Sequence, residues 1–329
     1  MRMTGRSTGR VLALVACAAF VLAGCGSGGS IDEQTKENES NAASKGDCGE
    51  LNMAVNPWVG YEADAYVVGR VAEEELGCKV NYRELKEDVS WQGFGTGEVD
   101  VVLEDWGHPD LEKKFFKGTG DGSAMEFGSA GNEGIIHWYV PPWLAKAHPD
   151  ILDYKNLNKY ADKFKTSETG DKGQFLGADA SYKQFDEAII KNLDLNFEVV
   201  FSGSEAASIE EFQQAEKNKE WLIGYFYQPQ WLFAQIDLQP VKLPPYTEGC
   251  QDPPAETACD YGVDPLKKIV STSWVEEDSP AVDLIKKFKW TNEDQNTVGK
   301  WIAADKMPPE EAAAKWVKEN QETVDSWVS

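Results

Sequence analysis

The side chains best suited to binding chemistry in this sequence are aromatic. The run Trp221-Leu222-Ile223-Gly224-Tyr225-Phe226-Tyr227-Gln228-Pro229-Gln230-Trp231 carries no charge. Its first part suits a strand buried on both faces of a parallel sheet. Pro229 ends the strand, because proline lacks the N–H that a ladder needs, and it suits the first position of a helix carrying Trp231. In open α/β sheets ligands sit at the carboxyl ends of strands, which is where this reading puts Tyr227. Tyr227 is then one wall of an aromatic pocket for a small cation.

Groups that could catalyse are sparse. The three histidines, His108, His137 and His148, have no metal-like i,i+2 or i,i+4 spacing. No Gly-x-Ser-x-Gly elbow, phosphate loop or dinucleotide fingerprint stands where a strand meets a helix. Gly118-Thr119-Gly120-Asp121-Gly122 follows Lys and Phe and reads as a loop. The expectation is a binding protein, not an enzyme, with no cofactor and no metal. An aromatic cleft rich in acids also suits a sugar, so a glycan-binding or sensor lipoprotein on the same fold is the second reading.

The chain has 329 residues and a formal net charge of −24. Such a surface repels phosphate backbones, which argues against nucleic acid as a partner. Residues 1–24 hold Arg2, Arg6 and Arg10 and no acid, then the apolar run Val11–Ala23 of 13 residues. That is shorter than the ~20 residues a spanning helix requires, so the segment reads as a secretory signal. It ends in Leu22-Ala23-Gly24-Cys25, which resembles the bacterial lipobox. That resemblance implies lipidation of Cys25 and a chain anchored to the extracytoplasmic face of a bacterial cell membrane. Residues 25–47 are rich in Gly, Ser, Asn, Glu and Lys and form a flexible linker. Cys48, Cys78, Cys250 and Cys259 remain, an even number that suggests two disulfides out of three possible pairings. Cys48 and Cys78 each precede a strand, and parallel neighbours begin on one sheet edge, so that pair is geometrically reasonable. Cys250–Cys259 would then close a Pro-rich loop.

The elements that must hold Tyr227 in place follow from residue 51 onward. Short apolar strands at Leu51–Val55, Lys79–Tyr82 and Val99–Leu103 alternate with helical patterns at Glu62–Leu76 and Val89–Phe94. This alternation predicts a parallel sheet with right-handed crossovers. Residues 110–132 read as Gly-rich and irregular, and Gly134–Val140 as a strand. A second α/β unit runs through strands at Phe175–Gly177, Glu198–Phe201 and Trp221–Tyr227. The region beyond residue 281 is helical, with Trp290, Trp301, Trp316 and Trp327 assigned to its core. The fold expected is α/β and bilobed, with a central cleft. Lobe 1 comprises 48–133 plus 239–329, and lobe 2 comprises 134–238.

Several pieces together resemble the substrate-binding proteins of glycine betaine/choline-type ABC importers. They are Ser90-Trp91-Gln92-Gly93-Phe94 with Gly97-Glu98-Val99-Asp100, then Glu104-Asp105-Trp106 and Gly203-Ser204-Glu205-Ala206-Ala207. Tyr227-Gln228-Pro229-Gln230-Trp231 looks like that family's Trp-x-Pro-x-Trp, and the run from Trp316 to Trp327 completes the set. Their order along 50–329 makes the match specific. The resemblance implies a periplasmic-binding-protein-like fold of type II and an aromatic cage for a quaternary ammonium ligand. It also implies an ABC permease as partner.

By position the cage residues carry over to Trp106, Tyr182 and Tyr227, with tyrosines where many relatives have tryptophan. Trp58 and Tyr61 lie just before a helix whose N-terminus could receive a ligand carboxylate, while Glu62 and Asp64 could instead cap it. Trp58 is counted with the pocket. Trp91, opening a helix on the same sheet edge, either lines the cleft or packs beneath it. His108 suits a ligand carboxylate or a helix cap.

Overall fold

A computed structural model describes residues 48–329. The signal segment at 1–24, the linker at 25–47 and the lipidation candidate Cys25 lie outside the described residues. Among the described residues no helix is long and apolar enough to cross a membrane.

The first α/β unit comprises β1 (Glu50–Val55), α1 (Val59–Leu76), β2 (Lys79–Glu84), α2 (Glu87–Thr96), β3 (Val101–Asp105) and the short α3 (Pro109–Phe115). β1 pairs in parallel with both β2 and β3, as the alternation of strand and helix patterns predicts. α1 stops at Gly77, whose φ of 72° is the left-handed conformation that only glycine adopts without a Cβ penalty. The second unit begins with β4 (Ala124–Val140) and α4 (Pro142–Ala147), followed by 3-10 turns between Pro149 and Lys163. It continues through β5 (Gly173–Gly177), α5 (Asp186–Asn192), β6 (Phe197–Phe201), α6 (Glu205–Asn218) and β7 (Gly224–Gln228). β5 lies parallel to both β6 and β7. After β8 (Gln239–Pro240) and β9 (Val263–Ser271) come α7 (Thr272–Val275), α8 (Pro280–Lys287), α9 (Asn292–Ala303), α10 (Pro309–Glu319) and α11 (Gln321–Val328).

All strands belong to one sheet in the order β2-β1-β3-β9-β4-β7-β5-β6, with β8 beside β4. The two parallel sets flank a central antiparallel pair, β4 and β9. The reading of 110–132 as irregular fails, since α3 and the first half of β4 occupy much of it. Gly128 and Gly131 take φ of 89° and 99° there. The register against β9 slips between Glu126 and Ser129, and again before Glu133. Bulges of this kind erase the two-residue alternation by which a strand is recognised. At Gly131 a Cβ would lie 2.6 Å from the Trp290 carbonyl oxygen, so a side chain has no room.

The segment between β8 and β9 bonds to the second unit. The Val241 N–H donates to the Trp138 carbonyl at 2.8 Å, and the Asn192 amide donates to the carbonyls of Ala255 and Thr257 at 3.1 and 3.0 Å. Only from β9 onward does the chain return to β3.

Disulfides join Cys48 to Cys78 at the start of β1 and β2, with Cα atoms 4.6 Å apart, and Cys250 to Cys259 in the Pro-rich loop. In the C-terminal helices Trp290, Trp316 and Trp327 are buried. Trp316 and Trp327 are stacked with centroids 5.6 Å apart. Trp301 packs against this core from its edge. It is half-buried at the surface, with Lys315 Nζ 3.6 Å from its ring centroid.

Candidate ligand-binding site

Five aromatic rings line one pocket at the carboxyl ends of the strands: Trp58, Trp106, Tyr182, Tyr225 and Tyr227. Trp58 follows β1 and is the N-cap residue of α1, and Trp106 directly follows β3. Tyr182 lies between β5 and α5, while Tyr225 and Tyr227 are on β7. Alternation along a strand puts residues 225 and 227 on one face. Trp106 and Tyr227 have ring centroids 5.3 Å apart at 82°, Trp58 and Tyr182 5.4 Å at 77°, and Tyr182 and Tyr227 6.3 Å at 80°. Rings at right angles are neighbouring walls of a box, whereas stacked rings would cover each other's faces.

Buried carboxylates hold these walls from behind. Glu104 is fully buried, and its Oε1 accepts from Trp58 Nε1 at 2.8 Å and from Trp106 Nε1 at 2.7 Å. Its Oε2 accepts from Gln295 Nε2 at 2.6 Å. One carboxylate therefore fixes two of the five rings. Burial raises the Glu104 pKa and these donors oppose the rise. Asp64 lies buried beside it, raised well above the usual carboxylate range by burial first and by the Glu104 charge second.

Glu205 does the same work on the opposite wall. Ser204 caps α6, its hydroxyl accepting from the Ala207 N–H at 3.2 Å, and this sets Glu205 at the first helical position. Glu205 accepts from the Tyr227 hydroxyl, from Gln230 Nε2 at 2.7 Å and from the Val59 N–H at 2.9 Å. Burial pushes the Tyr227 phenol well up, so it stays protonated as the donor. The Val59 contact means that a protein carboxylate already occupies the α1 N-terminus. That position needs correcting from the sequence reading, which offered it to a ligand carboxylate or to capping by Glu62 or Asp64.

Two charged residues complete the lining, Glu87 and Lys183. Lys183 Nζ donates to Asp264 Oδ2 at 2.7 Å and to the Trp106 carbonyl at 3.1 Å. Glu87 opens α2, is 3% exposed, and its Oε1 accepts no hydrogen bond. His108 Nδ1 lies 3.2 Å from that oxygen, but its hydrogen bond runs to Asp105 Oδ1 at 3.2 Å. Burial raises the Glu87 pKa to about 8, against the pull of His108 and with the push of Asp105, Glu104 and Asp88. Burial by itself would lower the His108 pKa, but the charges of Glu87 and Asp105 raise it to about 9. Glu87, Asp105 and His108 have donor atoms within 4.8 Å of one another. His108 Nδ1 lies 3.2 Å from a carboxylate oxygen of each acid and links the two.

Trp58, Trp106, Tyr182 and Tyr227 are thus brought together as the sequence reading expects. Trp91 is not. It lies one turn beyond Glu87 on the same face of α2, is 0% exposed, and packs against Phe94, Phe115 and Phe116 at 5.9, 6.0 and 5.6 Å. Pro229 does not open a helix either. Gln230 is the N-cap of the 3-10 turn Trp231–Ala234, its side chain accepting from the Leu232 N–H at 2.8 Å. Sequence reasoning missed Tyr225, Glu87, Lys183 and the bracing role of Glu205. Tyr225 carried a signal, the two-residue spacing from Tyr227, and Glu87 sits unmarked in a charged stretch.

Residues 49–319 match the family described as the substrate binding domain of ABC-type glycine betaine transport systems, OpuAC. The chain belongs to this family. It is accordingly a solute-binding component of an ABC transporter and not an enzyme. Among solved structures, lactococcal OpuAC in its closed-liganded conformation with glycine betaine is 22% identical, with a TM-score of 0.67 over 85% of this chain and 100% of that one. An ABC-transporter choline binding protein in complex with choline is 18% identical, with a TM-score of 0.69 over 85% and 92%. The glycine betaine/L-proline-binding protein ProX from Borrelia burgdorferi is 19% identical, with a TM-score of 0.68 over 85% and 97%. At these identities the likeness is one of fold, the bilobed binding-protein architecture.

Proposed function

We propose that this protein captures a quaternary ammonium compound in the five-ring pocket and delivers it to an ABC permease on the extracytoplasmic side of the membrane. A lipid at Cys25 would hold it there. The observation that carries the reading is the box of Trp58, Trp106, Tyr182, Tyr225 and Tyr227 backed by Glu104 and Glu205. A trimethylammonium group has no N–H to donate, so ring faces must hold it, each contributing roughly 0.5–2 kcal/mol as water is excluded. Choline and glycine betaine, the ligands of the similar structures, are the candidates.

The pocket draws Trp58, Glu87 and Trp106 from the first α/β unit and Tyr182, Lys183, Tyr225 and Tyr227 from the second. Tyr182 donates its hydroxyl to the Pro57 carbonyl at 3.0 Å between the two units. We read these units as two lobes that close on the ligand, linked by β4 and β9. The bonding of residues 239–262 supports assigning them to the second lobe, in place of the division at 238 drawn from the sequence.

The glycan alternative is disfavoured by the hydrogen-bond pattern. A sugar needs free donors and acceptors around its rim. The polar atoms of Trp58, Trp106, Tyr182 and Tyr227 are already committed to Glu104, Pro57 and Glu205. Calorimetric titration with choline, glycine betaine and a panel of sugars tests the reading. Binding of an ammonium ligand and of no sugar is expected. Heat from a sugar and none from either ammonium compound would overturn it.

A further inference from the structure

The rings give the pocket an affinity for methylated ammonium but do not say what else the ligand carries. The charged groups around them bear on that. Glycine betaine brings a carboxylate, which needs free N–H donors or an unpaired cation. The first backbone donor of α1 is taken, because Glu205 Oε2 accepts from the Val59 N–H at 2.9 Å and brings a negative charge to that helix end. Lys183, the cation in the lining, is neutralised by Asp264 at 2.7 Å. Its remaining contact is the Trp106 carbonyl at 3.1 Å. His108, the next cation, lies between Glu87 and Asp105, 3.2 Å from each.

Glu87 presents the opposite chemistry. Its carboxyl is buried, borders the same pocket as the five rings, and leaves Oε1 without a hydrogen-bond partner. That oxygen faces His108 Nδ1 at 3.2 Å without a hydrogen bond, so a ligand O–H could still donate to it. Once ionised, above about pH 8, Glu87 meets a cation with a hydroxyl twice, by charge and by accepting its O–H, whereas a betaine carboxylate meets an anion. Asp105 and Glu104, both buried nearby, repel that carboxylate further.

We infer that Glu87 is a specificity-determining residue that makes the site select a carboxylate-free quaternary ammonium with a hydroxyl, of the choline type, over a zwitterionic betaine. The inference rests on the proposed function and narrows its ligand class. Glu87 discriminates by what it leaves unpaired with the wrong ligand, the strongest form of selection a pocket has.

Calorimetric titration of native protein and Glu87→Gln with choline, tetramethylammonium and glycine betaine, at a pH above about 8 where Glu87 is ionised, tests this. The native protein should bind choline more tightly than tetramethylammonium, and both at least about tenfold more tightly than glycine betaine. In Glu87→Gln the choline preference over glycine betaine should fall by about tenfold or more. The native ranking needs no variant and stands even if Glu87→Gln folds poorly. Native preference for glycine betaine, or equal losses for all three ligands in a folded Glu87→Gln, would overturn the inference while leaving the proposed function intact. If none of the three binds the native protein, the proposed function fails and takes this inference with it.

Discussion

Glu104 is the residue on which most of the pocket geometry depends, since both indole N–H groups of the box donate to its Oε1. Glu104→Ala leaves two buried indole donors and Gln295 unpaired, and it should destabilise the fold by roughly 3–5 kcal/mol in urea unfolding. Glu104→Gln keeps a carbonyl acceptor for the two indoles but sets an amide N–H against the Gln295 donor, so it should lose less stability than Glu104→Ala and bind a quaternary ammonium about tenfold more weakly. Glu87 makes the site respond to pH. Burial raises its pKa to about 8 in the face of His108, Asp105, Glu104 and Asp88, with Lys183 across the pocket. A bound cation favours the ionised form and lowers that pKa, so at pH 7 binding should release a proton to solvent. Affinity should rise with pH up to about 8 and then level. Calorimetry in two buffers of different ionisation heat reads the released proton, and Glu87→Gln should abolish it. At this scale the sequence was informative for Trp106, Tyr182 and Tyr227, because motif order and strand ends mark them. It was silent on Glu87 and Glu205, whose roles exist only once separate elements meet.

Among the elements, α1 sits at the junction. Its N-terminal Val59 N–H binds Glu205 from the start of α6, 146 residues away. Helix N-termini favour anions, and here the anion is internal. Glu205→Ala frees that donor together with the Tyr227 hydroxyl. Glycine betaine affinity should then rise relative to choline by several-fold, a ratio measurable in the same titrations. No change in the ratio would mean that the α1 N-terminus plays no part in ligand choice. Legibility also varied by element. The strands β1, β3 and β5–β7 were readable as short apolar runs bounded by turns. β4 was not, because Gly128 and Gly131 lie at its bulges and its register against β9 slips twice. The antiparallel pairing of β4 with β9 was invisible for the same reason, since only long-range contact defines it. Trp91 failed as a pocket residue through depth along α2, which periodicity does not encode. Its neighbour on the same face, Glu87, reaches the pocket.

At the scale of the whole molecule, charge and topology act together. The chain carries a net −24. A larger open groove adjoins the cage at Trp58, and Glu62, Glu84, Glu205 and Glu210 line it against Lys306. An acidic groove of this kind concentrates cations beside the cage. The association rate for a cationic ligand should therefore fall several-fold between ~0.01 and ~0.15 M salt, as the Debye length shortens from about 30 to about 8 Å. Stopped-flow tryptophan fluorescence would follow it, with the dissociation rate changing much less. The bilobed organisation was legible from the order of strands and helices. The central claim is that ring faces drawn from both α/β units hold a methylated cation. Tetramethylammonium isolates it, having charge and methyl groups and nothing to hydrogen-bond. A calorimetric titration should give saturable one-site binding to the native protein and at least about tenfold weaker binding to Trp106→Ala. No heat from the native protein, or equal affinity in a folded Trp106→Ala, would contradict the account.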